Sequence, residues 1–457
     1  MLRLLFAVLV FYVVYSLHYP LETGITALNV SNLLFGAVVV AILARPELPG
    51  APTTAGLKVP LLLFFATLVV SFLIARADGK VSFIDDLTIL KNALFYPLFY
   101  FLALRCRLDL RQTRQMIILV LVVACIAGVQ AIRQGLDYGL GNFVETHRAS
   151  GPFGTSFAMA NRAGVYYAMY VPVFAAVALA FRGQRLWRLA GIVGLLLMIL
   201  AIMFTYSRQS YGIALAGLAL VFLRRSLVAS VVLALVLVVA VGFLPSSVTE
   251  RVEETQQRTT TGAIEVDPST ASRWEIWDGA MDMWEEHPMG VGLNRFWRHI
   301  GHYAPAYAGY DAHNYFVLTL CEGGVLGLAA LLWLMWSLSR HARRLRRAAP
   351  PGNAEAEGLA LGFGAFVVCM ALGNLYGSPF SEGAVMGNFW VLCGLLERYM
   401  ALQNAGVSAA GPATDPVLDQ RAGMIERYPL AARAAGIRPP RLAARAGEEK
   451  TARLPRM

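Results

Sequence analysis

The chain has 457 residues, 57% of them hydrophobic and 15% charged, with a mean hydropathy of +0.56 and a formal net charge of +10. That balance excludes an ordinary soluble globular domain. The positive charge lies in short loops and in a C-terminal tail rather than on a folded basic face, so nucleic acid is not an expected partner.

Crossing a bilayer takes about 20 apolar residues. In chain order, about twelve apolar runs approach that length: 2–18, 25–44, 59–75, 87–104, 115–132, 157–181, 188–205, 208–223, 226–244, 314–338, 358–375 and 383–400. The first run lacks a small-x-small cleavage site and is followed by Tyr, His and Pro, so it reads as a helix rather than a signal peptide. The expected fold is all-α and polytopic: N-terminal helices over 1–132, a membrane region over 133–401 with a larger loop at 245–313, and a tail at 402–457. The tail is rich in Ala, Arg, Pro and Gly without apolar periodicity, which predicts disorder. Basic clusters at Arg105 to Arg114, Arg182 to Arg188, Arg224-Arg225 and Arg340 to Arg347 fall at alternate helix ends. By the positive-inside rule these are cytoplasmic, which places both termini inside and the 245–313 loop outside. The five cysteines sit in or beside apolar runs without paired spacing, so they read as core thiols.

Three outward segments carry polar groups: 133–157 leading into Asn161 and Arg162, the turn Thr205 to Ser210, and the 245–313 loop. A few polar residues between Asn374 and Glu382 complete that surface. Within the loop, Ser272-Arg-Trp-Glu275 has capping-box spacing, and Pro288 and Gly290 stop the helix it would open. Trp274, Trp277, Met281 and Trp284 share one face of that helix, with Asp278, Asp282, Glu285 and Glu286 largely on the other. The face suits either the membrane interface or packing onto the protein's own outer surface. Both alternatives hold Arg273 at the helix start. Gly290-Val-Gly292 reads as a tight turn; no strand precedes it, so a phosphate-cradling loop is not indicated.

Six of the seven histidines fall on the outer side. His299 and His302 have helical metal-ligand spacing, but no carboxylate stands at a motif distance. His313 is placed differently, where the chain re-enters the membrane: a desolvated imidazole there can act as a general base, or it can cap the helix. Arginines at helix mouths are costly without a task, and Arg208 and Arg162 are the best placed. Guanidinium forks match phosphate oxygens. Glu322 lies nine residues beyond His313, which on an unbroken helix puts the two side chains on opposite sides, ~13 Å apart.

Together these pieces resemble the superfamily of O-antigen ligases and polymerases, bacterial envelope glycosyltransferases. The matching residues are Ser207-Arg208, Ser272-Arg273 with Trp277, His287-Pro-Met-Gly-Val-Gly292 with Phe296, and His313-Asn314 with Glu322-Gly-Gly-Val-Leu-Gly327. The segment from Gly151-Pro-Phe153 to Asn161 is also similar, and the resemblance spans roughly residues 140 to 400. It implies a metal-independent transferase of the inner membrane, without cofactor, working on its periplasmic face. The implied donor is an undecaprenyl-diphosphate-linked glycan, and the acceptor a hydroxyl of lipid A-core, a lipid-linked glycan or another envelope molecule. By that resemblance His313 is the base or acceptor-orienting group, and Arg208 and Arg273 clamp the diphosphate. Arg148 and Arg162 are further substrate-binding candidates, with Asn161 and Asn314 as hydrogen-bonding positioners and Glu322 as a structural contact in the bundle. A repeat-unit polymerase and a protein O-glycosylating ligase share these motifs. A flippase for the same lipid-linked glycan would instead need midplane polar residues and broken helices in related halves.

Overall fold

The computed structural model describes residues 1–20, 28–77, 79, 81–139, 144–154, 159–181, 184–225, 256–258, 264–266 and 268–409, with isolated positions between 228 and 235. Most of the apolar run at 226–244 and the tail beyond 409 lie outside these described residues. Internal packing divides the chain into Met1–Asn404 and Ala405–Met457. Everything below concerns the first unit; the second contributes described residues only as the end of the last helix.

The architecture is helical. In chain order the helices are α1 (Leu2–Tyr15), α2 (Val30–Leu43), α3 (Lys58–Ala77), α4 (Phe83–Phe95), α5 (Leu98–Leu104), α6 (Leu110–Tyr138) and α7 (Ala160–Ala180). They continue as α8 (Arg185–Thr205), α9 (Arg208–Arg225), α10 (Pro268–Glu286), α11 (Phe296–Tyr303), α12 (Tyr315–Ala348), α13 (Ala354–Gly373) and α14 (Gly383–Ala409). A short antiparallel ribbon pairs β1 (Gln256–Arg258) with β2 (Ile264–Val266).

Among the described residues, seven helical segments are long and apolar enough to cross a bilayer: Lys58–Ala77, Phe83–Leu104, Leu110–Tyr138, Ala160–Ala180, Arg185–Thr205, Tyr315–Ala348 and Ala354–Gly373. The protein is thus a polytopic membrane α-protein, with fewer such spans than the sequence has apolar runs. Two of the remaining runs form helices of only 14 residues, α1 and α2. Two of the seven spans are interrupted. Pro97 stands between α4 and α5, and Gly324 leaves helical geometry inside α12 (φ 63°, ψ −167°), so that helix is broken about two and a half turns after its start at Tyr315.

Helix α7 is the centre of the bundle, buried along most of its length and packed on α8, α9 and α13. Small residues permit the approach: a Cβ on Gly191 would stand 2.7 Å from the Ala178 nitrogen, and one on Gly362 2.8 Å from Val173 Cα. Helix α6 starts in a full capping box between Asp109 and Gln112.

A second, smaller core lies over the start of α12. It joins Ile276, Ala280 and Met283 of α10 to Phe296 and Ile300 of α11 and to Ala312 and Cys321. The aromatic-faced helix therefore packs onto the protein's own surface, with Trp277 and Trp284 half-buried, Trp274 exposed, and the four acids turned outward. Its start also differs from the expectation. It begins at Pro268, four residues before Ser272, because proline is already suited to a first turn. Ser272 and Arg273 accordingly lie one turn inside the helix and are not its cap.

Candidate active site

The two glycine-bearing motifs form the scaffold of the site by docking on each other. Val291 N donates to Cys321 O at 2.8 Å and Gly292 N to Glu322 O at 3.1 Å. Gly290 (φ 88°) has no room for a side chain, since a Cβ would stand 2.5 Å from Glu322 O. Gly324 is equally confined from the other side, where a Cβ would stand 2.6 Å from Pro288 O. The break in α12 and the turn after α10 are thus two halves of one clasp. Behind it, Glu322 Oε1 accepts from Phe296 N at 3.1 Å. Arg295 is completely buried; its guanidinium meets both Asp86 oxygens at 2.9 and 2.8 Å, and Asp86 also pairs with Arg76 at 2.9 Å.

His313 is held over this scaffold in the left-handed region (φ 49°), an uncommon place for a bulky residue. Tyr206, the residue before Ser207-Arg208, is also left-handed (φ 48°). Such conformations cost roughly 1–3 kcal/mol and concentrate at functional sites. The helix cap falls to Asn314, whose Oδ1 accepts from Phe316 N at 2.9 Å and Val317 N at 3.2 Å. Of the two roles open to His313 in the sequence, the cap therefore belongs to its neighbour. Burial pushes the His313 imidazole below its ordinary value of 6.5; Asp311 works against that shift, and Arg273 and Arg162 add to it. The ring thus favours its neutral form, as an acceptor of protons requires.

The surrounding elements converge on this residue. Trp277 donates from Nε1 to Ala312 O at 2.8 Å, which anchors α10 beside His313. Arg273 lies 6.0 Å from the Tyr376 ring, and Trp277 stands at the same distance from that ring. The 374–382 loop is tied in through Tyr315 N, which donates to Asn374 O (2.9 Å) and Gly377 O (3.1 Å), and through Ser378 Oγ to Asp311 at 3.2 Å.

Arg162, in the first turn of α7, pairs with Glu382 at 2.7 Å. Burial raises the Glu382 carboxyl above its ordinary value; the Arg162 charge opposes this and Asp311 reinforces it. The Ser207-Arg208 turn packs on α7 at Gly164, where a Cβ would stand 2.4 Å from Ser210 Oγ, so Arg162 and Arg208 occupy adjoining helix mouths. Arg208 is half-buried at the first position of α9.

Arg148 takes a different position. It is buried, with Nε to Thr205 O (2.9 Å), one terminal nitrogen to Glu145 (2.8 Å) and the other to Asn161 Oδ1 (2.5 Å). It and Asn161 join the 144–154 loop to the Tyr206 turn. His299 stacks edge-on against His287 and His302 against Tyr303; among the described residues no group of three or more His, Cys, Asp or Glu side chains could hold a metal. All five cysteines are free.

Beside the His313 region opens a cavity of about 460 Å³ between α3, α4, α11 and the upper part of α12. Arg162, Asp311 and Ser378 are on its wall, so it adjoins the charged cluster. Sequence reasoning singled out neither Glu382 nor this cavity. The signal for Glu382 was available: a carboxylate one residue before an apolar run carries the same cost as the arginines do.

A helical membrane protein with charged side chains gathered in a recess at one end of its bundle is the class these features define. Residues 193–332 match the family model described as O-Antigen ligase, so that segment is similar to this family. The matched segment holds Arg208, Arg273 and His313 together. No curated protein matches the chain.

Proposed function

We propose that the protein transfers a glycan from undecaprenyl diphosphate to a hydroxyl acceptor at the periplasmic side of the bacterial inner membrane. The observation that carries this reading is the setting of His313: a histidine in a left-handed backbone, its ring biased to the neutral form, with Arg273, Arg162 and Asp311 in its field.

In the reaction, His313 accepts the proton of the acceptor hydroxyl as the oxygen attacks the anomeric carbon of the donor. The new glycosidic C–O bond forms while the bond from that carbon to the phosphate oxygen breaks. The bonding pair leaves on the diphosphate. Arg208 and Arg273 stabilise the charge that develops there, the task that oriented donors perform in a low-dielectric site. Arg162, paired with Glu382, adds positive charge near His313 and is a further substrate-binding group. Arg148 and Asn161 act one step back by fixing the turn that presents Arg208.

The test is transfer from a synthetic undecaprenyl-diphosphate glycan by purified protein to a set of lipid A-core, lipid-linked glycan and peptide acceptors, with and without chelator. The reading predicts product in both conditions with one acceptor class. Activity lost to chelator and restored by a divalent ion overturns the metal-independent part, and ATP-independent passage of intact donor across a vesicle without transfer would establish a flippase instead.

A further inference from the structure

We infer that the cavity between α3, α4, α11 and α12 is a subsite for an uncharged sugar of the acceptor, read by the Asn92 amide and the Tyr96 and Trp297 rings. The inference deepens the transferase reading and rests on it.

Three observations carry it. The first is position: the cavity shares Arg162 and Asp311 with the charged cluster, so a hydroxyl presented from it reaches the neighbourhood of His313. The second is charge. Of the acidic and basic residues in the wall, Arg162 is paired with Glu382, Glu322 accepts from Phe296 N, and Asp311 accepts from Ser378. A diphosphate would find no surplus of cations here, which separates this pocket from a donor clamp built on Arg208 and Arg273. The third is chemistry. Asn92 presents an exposed amide in the middle of a membrane-crossing segment, where a polar group is costly unless it faces a cavity with a use for it. The wall hydroxyls of Thr67, Ser71 and Thr319 are by contrast engaged with backbone carbonyls.

The aromatic rings complete the pattern. Tyr96 is set by close packing on Gly383, next to the Arg162–Glu382 pair. Trp297 stands at the rim, 42% exposed. Flat apolar rings beside an amide, with the one wall cation already paired, suit the alternating C–H faces and hydroxyl edges of a pyranose. The volume lies within the range of about 300–1,000 Å³ usual for small-molecule pockets. A lipid chain would want neither Asn92 nor the charged side chains of the wall.

The test is equilibrium binding to the full-length protein in nanodiscs, followed by tryptophan fluorescence, with Trp297→Phe identifying the responding ring. The ligands are neutral methyl glycosides of a hexose, a 6-deoxyhexose and an N-acetylhexosamine, the matching methyl uronate, and hexanol. At least one neutral glycoside should quench the Trp297 signal and bind more tightly than the uronate or hexanol. Asn92→Leu, which suits a membrane helix and so should leave folding intact, should weaken that glycoside about 5- to 10-fold, the loss of one or two hydrogen bonds. Hexanol bound as well as the sugars would make the cavity a lipid slot, preference for the uronate would make it an anion site, and no response to any neutral glycoside would overturn the inference. Because no donor is present, these outcomes do not depend on whether glycan transfer occurs.

Discussion

Replacing Gly290 by alanine should loosen the active-site scaffold, and its cost divides into two parts that can be measured separately. The backbone part comes from φ 88°, a left-handed conformation that costs an L-residue roughly 1–2 kcal/mol. The contact part comes from a Cβ placed 2.5 Å from Glu322 O and 2.8 Å from Gly323 N, both backbone atoms that move only if α12 moves. Overpacking of this kind costs typically ~1–3 kcal/mol. Gly352 supplies the control, with φ 80° and nothing within 4 Å of its would-be Cβ, so Gly352→Ala meets the backbone part alone. The assay is the fraction of protein remaining monodisperse in detergent after heating, with glycan transfer measured on the survivors. Gly290→Ala should lose more thermal resistance than Gly352→Ala by the contact part and should also lose transfer rate, because the clasp sets the start of α12 beneath His313. Equal losses in the two variants would refute the clasp.

Asp86→Asn removes the charge that faces the fully buried Arg295 and should cost about 3–5 kcal/mol, seen as a lower heat-retention midpoint. Asp137→Asn, in an exposed pair with Arg133 at 3.9 Å, should leave that midpoint unchanged. Asn314→Ala should cost about 1 kcal/mol through loss of the α12 cap, whereas Asn314→Asp keeps an accepting oxygen and should retain both stability and transfer; an inactive but stable aspartate variant would show that the amide donor serves the substrate. The acid limb of the transfer rate should lie below pH 6.5, since the buried His313 ring gives up its proton more readily than a free imidazole. Asp311→Asn removes the neighbour that raises the His313 value, so the limb should move further toward acid; a shift toward neutrality would contradict the assigned sign.

The sequence made the membrane character and the outer helix legible because both are written in periodicity. Pro288 marked the end of α10 correctly, while the apparent capping box misplaced its start: Ser272 and Glu275 have the required spacing, but Pro268 opens the helix a turn earlier. The reading of Gly290-Val-Gly292 as a turn agrees with the structure, yet its partner could not be read, because backbone contact with Glu322 and Gly323 depends on tertiary docking. Arg295 stands in the outward loop with nothing in its neighbours to mark it; only folding shows it sealed against Asp86, more than two hundred residues away in the chain. Glu382 and the wall of the cavity escaped for a similar reason. Asn92 and Tyr96 belong to α4 and its end, far from the loops in which the charged motifs lie, and their meeting with Trp297 is a property of the bundle.

The central claim is that His313 and the arginines act on an anomeric carbon with a lipid diphosphate as leaving group. The most direct measurement is phosphorus NMR of a synthetic undecaprenyl-diphosphate glycan incubated with purified protein and its acceptor. The account predicts undecaprenyl diphosphate released with both phosphates intact, in step with glycan appearing on the acceptor, and no release by folded His313→Ala or Arg208→Ala. Appearance of undecaprenyl monophosphate with the glycan still bearing a phosphate, or full release by either variant, would contradict it.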